Sequence, residues 1–184
     1  ETSGKNYLEV IGGRVDASAP FGAAGTWLLD PRNVTISNAA TSNGAFNSGT
    51  PNVFTPTGDG AVADRNTIET SLNGGTSVTV NTGADGAQDG DITVAASITK
   101  AAGGPATLTL TAADDIFVNA AIVSNVGALN VTLTANSGAT DGAVTLNANI
   151  TTNGGNFSSS GVVYSTTSGT ITTGAGNATF NHTG

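Results

Sequence analysis

The sequence predicts an all-β fold: a right-handed parallel β-helix with three short strands per coil, interrupted by one excursion and a short helix. Three observations lead there. Short blocks that alternate apolar and polar residues recur every couple of dozen positions, which is the period of a solenoid. Clusters of Gly, Asn, Asp and Ser separate the blocks, and these residues enter tight-turn conformations at low cost. The composition agrees: 26 Gly in 184 residues and only 10% charged residues, with neither Cys nor Met. Too aliphatic for disorder and lacking a collagen period, such a chain suits many turns between strands built of Val, Ile, Leu and Thr.

The repeat is clearest in the middle of the chain. Gly104-Pro-Ala-Thr-Leu-Thr-Leu-Thr111 aligns with Gly127-Ala-Leu-Asn-Val-Thr-Leu-Thr134, so that Leu110 matches Leu133 at a step of 23 residues. A second alternation follows at Ile116-Phe-Val118 and Val144-Thr-Leu146, with an earlier copy at Ile92-Thr-Val94, at steps of 24 and 28. Isolated aliphatics come third: Ile98, Ile122 and Ile150. Weaker copies continue through Phe157, Val162-Val-Tyr164, Ile171 and Ala178-Thr-Phe180. Length varies in turns such as Asn136-Ser-Gly-Ala-Thr-Asp-Gly142, not in strands. Aliphatics are expected inside and Thr, Asn or Ser outside, with successive coils about 4.8 Å apart. A single coil cannot offset its ordering entropy with its own apolar burial, so stacking is obligatory.

Two earlier coils are expected over residues 1–37, from Tyr7-Leu-Glu-Val-Ile11 with Val15-Asp-Ala17 and from Gly25-Thr-Trp-Leu-Leu-Asp-Pro31 with Val34-Thr-Ile36. Pro31 cannot donate to a ladder and requires a turn between Leu29 and Val34. Residues 38–63 break the rhythm with Pro51, Pro56 and Gly58-Asp-Gly60, and read as an excursion carrying a small hairpin around Val53-Phe54. The excursion runs to residue 75 and includes a helix at about 66–73. Asn66 is its expected N-cap, Ile68 and Leu72 share one face, and Gly74-Gly75 is the stop. Its expected role is to cover an open edge of the stack.

Net charge is −8, and the five basic residues, Lys5, Arg14, Arg32, Arg65 and Lys100, are scattered. Nucleic acid and anionic membrane surfaces are therefore excluded as expected partners. No apolar run approaches the length of a membrane span.

The block Gly25-Thr-Trp-Leu-Leu-Asp-Pro-Arg-Asn-Val-Thr-Ile-Ser37 resembles a segment of the filamentous haemagglutinin family, the large exoproteins of bacterial two-partner secretion. The blocks Thr67–Gly83, Gly90–Val94 and Thr107–Ile122 follow in a similar order, and the resemblance covers most of residues 7–150. It implies an interior segment of a longer adhesin, exported through an outer-membrane pore to the cell surface. The family's Asn-Pro secretion signature has no counterpart, since no Asn-Pro dipeptide occurs. Expected partners are host or bacterial glycans, receptors or biofilm matrix, with end-to-end or lateral self-association.

Among chemistry-bearing residues, Asp85, Asp89 and Asp91 are the candidate metal ligands. Carboxylates separated by glycines could wrap a Ca²⁺ with backbone oxygens, although turn residues of a β-helix read the same way. Asp114-Asp115 and Asp141 fall at equivalent turns, which suggests a row along one corner. Catalysis is not expected: Lys100 and Arg65 stand alone, and a Ser-His-Asp arrangement would need His182. The rows Thr107, Thr109, Thr111 and Asn130, Thr132, Thr134 raise ice binding, but Thr is also the favoured outward strand residue. Sequons begin at Asn33, Asn130, Asn149, Asn156, Asn177 and Asn181. Trp27, Phe54 and Phe157 are expected to pack between coils. The leading role is an adhesin shaft; the alternatives are a carbohydrate-binding patch on residues 38–63 and, last, a polysaccharide-processing enzyme.

Overall fold

The computed structural model describes residues 31–135 and 141–184, which form a parallel β-solenoid of about 6 turns with a single short helix. The expected strands before residue 31 and the Trp27 side chain lie outside the described residues. The base contains β1 (Val34–Ser37), β2 (Gly44–Phe46), β3 (Asn52–Pro56), β4 (Ala61–Asp64), α1 (Arg65–Asn73) and β5 (Val78–Asn81). Regular coils follow. The first has β6 (Ile92–Val94), β7 (Ile98–Lys100) and β8 (Ala106–Thr111); the next has β9 (Ile116–Val118), β10 (Ile122–Ser124) and β11 (Leu129–Thr134). Then come β12 (Ala143–Leu146), β13 (Ile150–Thr151) and β14 (Phe157–Gly161), and finally β15 (Val163–Thr166), β16 (Ile171–Thr172) and β17 (Ala178–His182).

Equivalent strands stack into three sheets, ordered β15-β12-β9-β6-β1-β4, β16-β13-β10-β7 and β17-β14-β11-β8-β5-β3-β2. Pairings between these strands are parallel except for the β2–β3 hairpin. The registers follow the sequence alignment. Leu133 pairs with Leu110, Ile116 with both Ile92 and Val144, and Ile122 with both Ile98 and Ile150. Side chains alternate as a half-buried strand requires: in β11, Leu129, Val131 and Leu133 are inside, while Asn130, Thr132 and Thr134 are outside. Phe54 and Phe157 both lie in the core.

The base departs from simple winding. β1 lies between β4 and β6, so the chain lays β1, drops through the hairpin to β3 and β4, and returns by α1 to resume at β6. The hairpin expected near Val53-Phe54 is present, pairing Phe46 with Phe54. Of the segment expected to leave the rod, however, β3 and β4 are ladder strands, paired with β5 and β1. Their inward residues Phe54, Ala61 and Ala63 are apolar and fully buried, which keeps them on the stack.

α1 starts at residue 65, one before the expected 66, and Asn66, the expected N-cap, lies inside its first turn. Asp64 is the N-cap, its carboxylate accepting the Asn66 N–H at 2.9 Å, and Gly74 closes the helix. Ile68 and Leu72 are fully buried, and the helix packs against β7. There it takes the place of a strand. Residues at one-turn spacing meet the edge backbone: Arg65 Nη1 donates to Ser97 O at 3.3 Å, Glu69 Oε1 accepts Thr99 N–H at 2.7 Å, and Asn73 Oδ1 accepts from Ala101 and Ala102 N–H at 2.7 and 3.0 Å. An exposed edge would otherwise template pairing with another chain. Gly103, at φ +76°, makes the close approach there, where a Cβ would collide with the Asn73 carbonyl.

Candidate functional site

The acidic corner is formed by the stacking of turns that precede β6, β9 and β12. Asp91, Asp114 and Asp115 bring carboxylate oxygens within 4.8 Å of one another. Two of the three also serve the ladder. Asp91 Oδ1 accepts Asp115 N–H at 3.2 Å, and Asp115 Oδ1 accepts Ala143 N–H at 2.7 Å. Below them, Asn33 Oδ1 accepts the Gly90 and Asp91 N–H groups at 2.8 Å each. The column Asn33, Asp91, Asp115 thus covers the first free amide of each following rung. Asp114 has no such duty. Burial, followed by the charges of Asp115, Asp141, Asp91 and Asp89, pushes its carboxyl up to about 6. Burial also holds Asp91 above the ordinary carboxylate value; the Asp115 amide opposes that rise, and the Asp115 and Asp89 charges add to it.

The expected ligand trio is therefore reshuffled. Asp91 belongs to the group, but Asp85 and Asp89 are exposed and do not join it. The reason is local: the loop is pinned to the base rather than wrapped on a centre. Gln88 N–H donates to Pro31 O at 3.1 Å, and Gln88 Oε1 accepts from Asn33 and Gly60 N–H at 3.0 and 2.7 Å. Residues 24 apart in sequence converge instead, because that is the length of one coil. Three carboxylates could supply part of the about 6–8 oxygens calcium takes, the remainder coming from backbone and water.

A second column lies inside. Lys100, Ser124 and Thr152 are aligned on successive coils and buried. Each donates to the carbonyls of its own turn: Ser124 Oγ to Gly127 O at 2.7 Å and Thr152 Oγ1 to Gly155 O at 2.5 Å. Lys100 Nζ reaches Ala102 O, Gly103 O and Val126 O at 2.5, 3.2 and 2.8 Å. Burial lowers its pKa. In sequence Lys100 stands alone among scattered basic residues, and its inward parity with Ile98 is the signal that places it inside.

At the opposite end, Ser159 Oγ and His182 Nε2 are 2.9 Å apart. Burial lowers the His182 pKa, and the Val163 backbone only partly offsets this. Nδ1 has no hydrogen-bond partner of good geometry, and no carboxylate among the described residues bonds the ring. The pair lacks the third member that would orient a catalytic histidine.

Several sequon asparagines are ladder residues. Asn130 Oδ1 accepts Asn156 N–H at 2.8 Å, Asn156 Oδ1 accepts Asn177 N–H at 2.9 Å, and Asn149 Oδ1 accepts Thr170 N–H at 3.0 Å. The outward Thr rows are in register, Thr109 with Thr132 and Thr111 with Thr134. A polar cleft of about 340 Å³ opens between the β2–β3 turn and α1, lined by Ser48, Gly49, Thr50, Asn52, Thr67, Thr70, Ser71 and Thr76. One wall lies on the 38–63 segment offered in sequence as a binding patch; the other, from α1 and Thr76, meets it only because the base brings the two segments together. No family model matches the chain, and no curated protein matches it.

Proposed function

We propose that this chain is a shaft segment of a large secreted bacterial surface adhesin of the filamentous haemagglutinin type, exported through an outer-membrane pore. One observation carries the reading: above the β2–β3 hairpin, three sheets keep parallel register from coil to coil, with amides outside the ladder covered by side-chain columns. Ladder hydrogen bonds run along the stacking axis, so tension on the rod is shared by three sheets at each rung. Paired backbone also resists proteases, which need a locally opened chain. Such a module is suited to holding a binding region away from the cell without turning over a substrate. Host or bacterial glycans, receptors or matrix are its proposed partners, with lateral or end-to-end contacts between rods.

The test has two arms. Antibodies to this segment should label intact cells, and labelling should vanish when the outer-membrane pore is deleted. Small-angle scattering of the isolated chain should give an elongated, protease-resistant particle. Labelling only after lysis would refute the surface assignment, and a rapidly digested particle would refute the shaft.

A further inference from the structure

We infer that the cleft between the β2–β3 turn and α1 is a binding site for a neutral saccharide residue. This inference gives a place and a sugar class to the glycan partner proposed above, and it stands or falls separately from the shaft role.

The chemistry of the lining comes first. Ser48, Thr50, Thr67, Thr70, Ser71 and Thr76 bring hydroxyls to one opening, and no charged side chain lines it. A hydroxyl both donates and accepts, so such a surface matches the vicinal hydroxyls of a pyranose. It offers no cation to a carboxylated or sulfated sugar, and the chain's net charge of −8 opposes one further. The volume falls at the lower end of the about 300–1,000 Å³ usual for small-ligand clefts.

The cleft is also preorganised. Asn52 is buried and held on every side. Its N–H donates to Ser77 O at 2.8 Å, its Nδ2 to Ser71 Oγ at 2.9 Å, and its Oδ1 accepts Ser48 N–H at 2.9 Å. Ser71 Oγ in turn donates to Thr67 O at 3.0 Å. The floor is thus locked, while among the described residues the hydroxyls of Thr50, Thr67, Thr70 and Thr76 make no hydrogen bond and remain open to a ligand. Groups fixed before binding lose less entropy on binding.

Ser48 adds local backbone strain at the rim. It sits at φ +55°, where a residue with a Cβ is disfavoured and Gly or Asn would fit more easily. The sequence places Ser there, at the rim, and Gly one position later. An unfavourable backbone at a residue lining a cleft is a feature associated with binding sites.

The experiment is a titration of isotope-labelled protein with glucose, galactose, mannose and N-acetylglucosamine, with glucuronate and sialic acid alongside, followed by amide shifts. At least one neutral sugar should shift Ser48–Asn52 and Thr67–Thr76 selectively, with a Kd on the order of 1 mM, as expected for a few hydroxyl contacts without an aromatic platform. Thr67→Val and Thr70→Val keep the side-chain shape on the exposed side of α1 and should each weaken that binding by about fivefold, one hydrogen bond's worth, without moving the melting temperature. The inference is overturned if no neutral sugar shifts these amides, if acidic sugars bind equally, or if both variants bind like the parent.

Discussion

Lys100 is an ammonium group with no exposed surface and, among the described residues, no carboxylate bonded to it, held by three carbonyl oxygens from its own turn and the next coil. On the following coils the same place is filled by Ser124 and Thr152, each donating to the carbonyl three residues on. What the position requires is a donor. Lys100→Met should therefore cost about 1–3 kcal/mol in chemical denaturation, the range for buried acceptors left unpaired, and Lys100→Thr should lose less. A loss for Thr as large as for Met would show that charge, not donation, matters there. Asp114 gives the pH prediction. Its carboxyl titrates near 6 in the fold against 3.8 in the open chain, so the native state binds more protons between those values. Stability should then fall as pH rises from about 4 to about 6 and stay lowered above. Asp114→Asn should flatten that fall and raise the melting temperature at pH 7; an unchanged pH profile would remove Asp114 as its source.

At the scale of elements, strands and helix divide the same task differently. β11 places Leu129, Val131 and Leu133 in the core between the inward faces of β8 and β14. Leu133→Ala should cost about 2–5 kcal/mol, because coils closed by ladder bonds on both sides cannot collapse into the cavity; a loss below about 1 kcal/mol would mean the rungs relax. α1 acts through side chains instead, with Glu69 and Asn73 accepting from Thr99, Ala101 and Ala102. Glu69→Ala with Asn73→Ala should free the β7 edge and promote concentration-dependent association, visible by light scattering. A double variant that stays monomeric would mean apolar contact at Ile68 and Leu72 is a sufficient cover.

For the whole molecule, stacking makes stability nearly one-dimensional, since each coil contacts only its neighbours. Removing the last coil, β15 to β17, should speed amide exchange in β12–β14, which then become the edge, and leave β6–β8 unchanged. Uniformly faster exchange would indicate a single cooperative unit instead. The base is the exception to that simple order: its strands are stitched to the coils above by α1, Gln88 and Asn33, so damage there should spread over more than one rung.

Periodicity by itself determined the three-strand coil and its register, because inward Leu, Ile and Val can be buried only when equivalent blocks align, as Leu110 does with Leu133 and Ile98 with Ile122. The helix was legible too, from Ile68 and Leu72 with the glycines behind them. Tertiary structure alone decided the rest. It set β1 between β4 and β6, left Asp85 and Asp89 outside the acidic corner that the equivalent turns form, and opened the hydroxyl cleft. Those features depend on which turns lie one coil apart and on loops pinned by single hydrogen bonds. Burial of a repeated apolar pattern is written locally along the chain, whereas the meeting of polar groups from distant turns exists only once the coils are stacked.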